Sequence, residues 1–230
     1  MRSASEASSL EKLQNALGYQ FEDVELLVRA LSHRSSGSRH NERLEFLGDA
    51  ILGYLIAKRL YAVLPAERED ALTLIRSSLV KRDSLARRAR RLGLGQHMRL
   101  GAGELKSGGH ARPSILADAL EAVIGAVHED GGLEAAEALI DRLFDEPVES
   151  LDAAAIKDAK TRLQEVLQKE GLGLPDYAIV TTEGSDHQRL FRVSCRVAAL
   201  ELECVAQGSS RRAAEKQAAQ AMLEELERRG

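Results

Sequence analysis

The sequence predicts an all-α domain over residues 1–146, with its core in 10–132, followed by a small α+β domain of order α-β-β-β-α over 158–228. Three observations predict this division. From Leu10 to about Phe144, aliphatic residues recur at three- and four-residue spacing, the period of a helix. From Tyr177 to Gln207 the period changes to alternation, with β-branched and aromatic residues enriched. Between them, Glu146 to Lys157 carries Pro147 and no strong period, so 147–157 reads as a linker.

In the first domain the helical period runs through 23–31, 44–60, 71–92, 115–128 and 133–144. It is interrupted at 32–40 (SHRSSGSRH), 64–70 (LPAERED) and 93–114, where glycines and Pro113 cluster. Ser114 is the expected N-cap of the fourth segment. The basic run KRDSLARRARR (81–91) reads as a solvated face. In the second domain Lys160–Glu170 reads as a short helix, with Leu163, Val166 and Leu167 inward and Gly171 closing it. Three antiparallel strands follow at 177–183, 188–197 and 200–207, and then a helix over 210–228. Two helices on one sheet face make a compact unit.

The bulk composition narrows the function classes. The chain has 230 residues, 44% hydrophobic and 30% charged, with 32 Lys and Arg against 36 Asp and Glu. A net charge of −4 means that any polyanion must be bound by local patches. No apolar run approaches the ~20 residues that span a bilayer, and the N-terminus lacks an apolar leader core. Two cysteines, Cys195 and Cys204, are too few for a disulfide scaffold, so a reducing cytoplasm is expected. The absence of a His-Asp dipeptide counts against a His/Asp phosphohydrolase. The glycines of 101–109 follow no strand, which counts against a nucleotide-cradling loop.

The stretch 41–60, NERLEFLGDAILGYLIAKRL, carries the chemistry. Leu44, Leu47, Ile51 and Leu55 form an ordinary core stripe. Glu42, Glu45 and Asp49 form a row on the opposite side, where like charges at helical spacing repel. Such a row is either solvated or holds a cation. Phe46 stands beside the acids, away from the stripe, as an exposed aromatic would at a partner surface. A second acidic row, Asp118 and Glu121, lies on the helix after Pro113, with the small Ala122 and Gly125 beside it. Antiparallel packing of these two helices would bring five carboxylates together, with Glu69 a possible sixth. Oxygen ligands without cysteine suit Mg²⁺ or Mn²⁺ rather than Zn²⁺, and phosphodiester hydrolysis is the chemistry such a site performs.

The block Asn41–Asp49 (NERLEFLGD) resembles the signature of bacterial ribonuclease III, and Gly101–Gly109 and Ser114–Ala126 match two further stretches of that family. The likeness extends from about Leu10 to Leu226. It implies a helical endonuclease domain followed by a double-stranded RNA-binding domain. By this resemblance the metal ligands are Glu45, Asp118 and Glu121, and the catalytic residues nearest the chemistry are Asp49 and Glu121. Glu42 and Glu69 match additional acidic positions, and Phe46 the aromatic that contacts the other subunit of a homodimer. RNA-binding positions fall on Thr161, Gln164 and Glu165, on His187, and on Arg211 and Arg212. The two arginines open a helix where its dipole favours phosphate over cations, which suits an RNA backbone. Ala159 and Ala213 depart from the family pattern, at a proline and a basic position. Arg112, before the acidic helix, is open to two readings, a phosphate contact or an ordinary surface cation. All six acids are present, so the resemblance implies a Mg²⁺-dependent cutter of double-stranded RNA that processes ribosomal, messenger and small RNAs, not a non-catalytic RNA binder.

Overall fold

The computed structural model describes residues 4–145, 158–184 and 189–229, which fall into two compact units, 1–153 and 154–230. The expected linker 147–157 and His187 lie outside the described residues. The first unit is helical: α1 (Ala4–Leu17), α2 (Val24–Ala30), α3 (Glu42–Val63), α4 (Glu69–Val80), α5 (Arg82–Arg91), α6 (Ala102–Lys106) and α7 (Pro113–Leu143). The second is α8 (Ala159–Lys169), β1 (Asp176–Glu183), β2 (Leu190–Val197), β3 (Leu202–Gly208) and α9 (Arg211–Arg229).

Helix α7 is the core of the first unit, and every residue from Leu120 to Val127 except Glu121 is buried. Such all-round burial requires apolar or small residues on every face, which ILADALEAVIGAV supplies. Helix α3 packs on it through Leu44, Ile51 and Leu55 of the expected stripe, joined by Gly48, Leu52, Ile56 and Leu60. At the crossing the backbones nearly touch. A Cβ on Gly48 would lie 1.8 Å from the Glu121 carbonyl oxygen, and one on Gly125 2.2 Å from that of Leu44.

The two helices run in the same sense, which corrects the antiparallel expectation. Their N-terminal ends, Asn41–Glu45 and Ser114–Asp118, open on one cleft, and along them Glu45 faces Asp118 while Asp49, a turn farther on, faces Glu121. Helix α7 itself is broken at Gly132, whose backbone is not helical (φ 77°, ψ −172°). Helical period fixes which faces meet but carries no information on direction.

Three further expectations are corrected. The segment 71–92 is two helices broken at Lys81, whose backbone is extended (φ −64°, ψ 150°). In one unbroken helix Leu85 would stand about 120° round from Leu79; the break lets both be buried. Within the basic run Arg88 is not solvated. It is 3% exposed, its guanidinium lies 4.0 Å from the Phe144 ring centroid, and it donates to the Leu143 carbonyl at 3.0 Å. The N-cap of α7 is Arg112 rather than Ser114, because Pro113 takes the first helical position, where its fixed φ fits and no N–H is missed.

In the second unit the sheet order is β1-β2-β3, all antiparallel. Leu163, Leu167, Cys195, Val197 and Met222 form the core between the helices and one sheet face. Gly171 takes the left-handed conformation (φ 70°) that ends α8, and the Leu172 N–H reaches back to the Leu167 carbonyl at 2.9 Å. Cys195 and Cys204 sit directly opposite each other on β2 and β3, both as free thiols.

Candidate metal centre and basic face

The cleft at the shared mouth of α3 and α7 has a volume of about 690 Å³, and Glu42, Glu45, Asp49, Asp118 and Glu121 all line it. Because Gly48 and Gly125 remove the side chains that would hold the helices apart, the acidic rows face each other across a backbone contact. Glu45, Asp118 and Glu121 each offer one carboxylate oxygen, and these oxygens lie within 4.8 Å of one another. That spacing lets a single ion touch all three. The donors are hard oxygens, with no histidine or cysteine among them, so they fit Mg²⁺ or Mn²⁺.

The electrostatics show how costly the cluster is without a cation. Glu121 is pushed up from its ordinary 4.5 to about 8, first by burial and then by Asp49, Asp118 and Glu45. Burial also raises Glu45, with repulsion from Asp118, Glu42 and Asp49 behind it. Asp118 is raised by burial as well, against the opposing pull of Arg82, His33 and Arg34. Carboxyls that hold protons this tightly are sites where a divalent charge would be welcome.

The other expected acids are placed differently. Asp49 lines the cleft beside Glu121 but is not part of the close triad. Glu42 stands at the rim, 3.6 Å from both Arg34 and His40. Glu69 is not brought to the cleft. It is exposed in the first turn of α4 and accepts a hydrogen bond from Thr73 at 2.9 Å. Phe46 is 81% exposed on α3. Sequence reasoning missed Tyr54 and Tyr61, 55% and 79% exposed, which continue the Phe46 face at helical spacing. It also missed His33 and Arg34, which enter the cleft from the loop after α2.

In the second unit Thr161, Gln164 and Glu165 are all exposed on one face of α8. Arg211 and Arg212 are exposed at the start of α9. Arg211 donates to Glu215 at 2.8 Å. The same carboxylate accepts Lys160 at 2.7 Å, and that bond, with the Arg211 bond, holds Glu215 below the usual carboxylate range despite partial burial. A close approach seats α9: a Cβ on Gly208 would lie 2.5 Å from the Ala214 nitrogen.

Residues 23–147 match a family model described as ribonuclease-III-like, and residues 159–226 match the double-stranded RNA binding motif. The chain is 51% identical to Ribonuclease 3 of Ralstonia nicotianae over 221 residues, 96% of this chain and 86% of that protein. It is 50% identical to Ribonuclease 3 of Pseudomonas fluorescens, covering 94% of each. Among solved structures, the nuclease domain of ribonuclease III from Campylobacter jejuni, described for flexibility in a region involved in its dimer formation, matches with TM-score 0.59 at 42% identity. That match covers 60% of this chain and 96% of the other.

Proposed function

The chain belongs to the ribonuclease III family and is an endoribonuclease acting on double-stranded RNA, and from that premise we propose that it cuts at the Glu45–Asp118–Glu121 cluster with Mg²⁺ as the working cation, Mn²⁺ substituting. The observation that carries this reading is the meeting of three carboxylate oxygens from two helices, α3 and α7, within 4.8 Å. When bound, the cation would supply charge for the phosphoryl oxygens and make the attacking water easier to deprotonate. The protein's part is to hold and orient. Glu45, Asp118 and Glu121 fix the ion's position, and Asp49, beside Glu121, completes the acidic wall facing the scissile phosphate. Because Glu121 holds its proton to about pH 8, it would have to release that proton to hold the cation, so apparent affinity would rise with pH up to that value. Products carry 5′-phosphate and 3′-hydroxyl ends with a short 3′ overhang.

The test is incubation of long double-stranded RNA with the protein, with and without chelator, and ligation-based mapping of the ends. Chelator-resistant cleavage, or 3′-phosphate ends, would sink the reading.

We further propose that two copies pair through the Phe46, Tyr54 and Tyr61 face of α3, and that this pairing juxtaposes two sites on one duplex. A Phe46→Glu variant is expected to run as a monomer in light scattering at micromolar concentration and to lose double-strand cleavage. Monomeric wild-type protein at full activity would contradict this. Glu69, exposed on α4, acts only peripherally within one chain.

Thr161, Gln164, Glu165, His187, Arg211 and Arg212 would bind the RNA by shape and backbone. Removal of residues 158–230 is expected to weaken RNA binding strongly at about 150 mM salt yet leave Mg²⁺-dependent cleavage at low salt. Loss of cleavage at every salt concentration would show that the modules do not work separately. The proposed work is processing of precursor ribosomal RNA and some messenger and small RNAs in the cytoplasm, where Cys195 and Cys204 stay reduced. No helix among the described residues is long and apolar enough to cross a membrane.

A further inference from the structure

The stretch GAGELKSGG (101–109) has no part in the metal cluster, yet its fold is specific. Helix α6 and the turn after it carry Glu104 to the cleft wall, where its side chain is 27% exposed. Gly109 makes the room: a Cβ there would lie 2.8 Å from the Glu104 carbonyl oxygen and 3.0 Å from its Oε2. Glu104 Oε2 pairs at 2.9 Å with Nη1 of Arg112, and Nη2 of Arg112 donates to Ser107 Oγ at 3.1 Å. Two residues of this loop therefore grip one guanidinium, which also lines the cleft.

The cleft's charge explains why that grip is useful. Six carboxylates line it, those of Glu42, Glu45, Asp49, Glu104, Asp118 and Glu121, against two arginines, Arg34 and Arg112. A phosphodiester strand entering such a cleft meets repulsion that one divalent ion at the triad does not cancel. Arg34 is 72% exposed and leans loosely on Glu42 at 3.6 Å. Arg112 is the cation held in place on two sides. A guanidinium has five N–H donors in a rigid fork suited to phosphate, so contacts to Glu104 and Ser107 leave donors for a ligand.

We propose that Arg112, aimed by Glu104 and Ser107, binds a non-scissile phosphate of the RNA strand and sets the position of the neighbouring scissile phosphate over the carboxylate triad. The inference rests on the nuclease reading above and deepens it. Arg112 touches substrate; Glu104 is a positioning residue acting through it.

The experiment measures full-length wild type, R112A, R112K and E104Q on one RNA duplex. Binding is measured in Ca²⁺ at several salt concentrations, and kcat and KM in Mg²⁺. R112A is expected to weaken binding about tenfold, to flatten the salt slope by about one counterion, and to raise KM more than it lowers kcat. R112K keeps the charge and is expected to retain the wild-type salt slope with intermediate affinity. E104Q leaves the arginine in place but loosely aimed, so its slope is unchanged and its KM rises a few fold. Wild-type affinity and slope in R112A overturn the inference, as does a loss in R112A that R112K shares in full without any change of slope. If R112A does not fold, the R112K and E104Q results decide on the same criteria. A wild type that binds RNA but never cuts it would instead sink the nuclease reading, leaving the Ca²⁺ binding series to judge Arg112.

Discussion

A Glu121→Gln variant is expected to bind double-stranded RNA with nearly wild-type affinity and to cleave it at least ~10³-fold more slowly in saturating Mg²⁺. Glu121 supplies one of the three oxygens of the triad and also stands beside Asp49, so on the proposed reading its loss would remove an ion ligand from beside Asp49. Single-turnover cleavage next to a binding measurement in Ca²⁺ separates the two effects. Cleavage within tenfold of wild type would show that Glu121 is not a ligand. The same substitution is expected to stabilise the cation-free protein, and the sign follows from the proton. Glu121 holds its proton to about 8 in the folded state against 4.5 ordinarily. The folded state therefore binds the proton more tightly, and its stability is greatest below 4.5 and falls as pH rises towards 8. The side-chain amide that replaces the carboxyl does not titrate. With allowance for solvent screening of a partly exposed group, E121Q is expected to melt roughly 3–6 °C higher than wild type at about pH 8 without metal, and no higher at the pH where both states are protonated. Saturating Mg²⁺ is expected to close the gap at the higher pH by stabilising wild type alone.

The second large effect lies at the helix crossing. Gly48→Ala would place a Cβ 1.8 Å from the Glu121 carbonyl oxygen and 2.9 Å from the Gly125 nitrogen. Both are backbone atoms, so no rotamer change relieves the clash and α3 must lift away from α7. A loss of roughly 3 kcal/mol or more is expected in urea unfolding. The separation also parts Glu45 from Asp118 and Glu121, so Mn²⁺ affinity is expected to fall on the order of 10–100-fold. Gly53→Ala is the control: it lies on the same helix, a Cβ there meets nothing within 4 Å, and the change is expected to be neutral or stabilising by up to ~1 kcal/mol. Equal behaviour of the two variants would remove the close crossing from the account of the site.

That Glu45, Asp49, Asp118 and Glu121 line one cleft was legible in outline because helical spacing gathers residues on one face. Glu45 with Asp49, and Asp118 with Glu121, declare themselves as rows wherever the helices go. Phe46 was legible for the same reason, as an aromatic on the wrong side of its own helix. Gly48 was not. A glycine within a helix reads locally as a small penalty, and its purpose exists only in the backbone of α7 lying against it. Helix direction was illegible too, since a stripe looks the same whichever way its partner runs. Arg88 was lost in a run of like charges, although Phe144 and the Leu143 carbonyl single it out. His33, Arg34 and Glu104 come from loops or from a five-residue helix, where no period marks which side chain turns inward.

The central claim is that Glu45, Asp118 and Glu121 share one cation. It is tested most directly by diffraction from crystals soaked in Mn²⁺ at mildly alkaline pH, with data collected at the manganese absorption edge. The expected result is an anomalous peak about 2.2 Å from one oxygen of each of these three side chains, absent from the D118N protein. A peak elsewhere, or no peak at Mn²⁺ concentrations that sustain full cleavage, would contradict it.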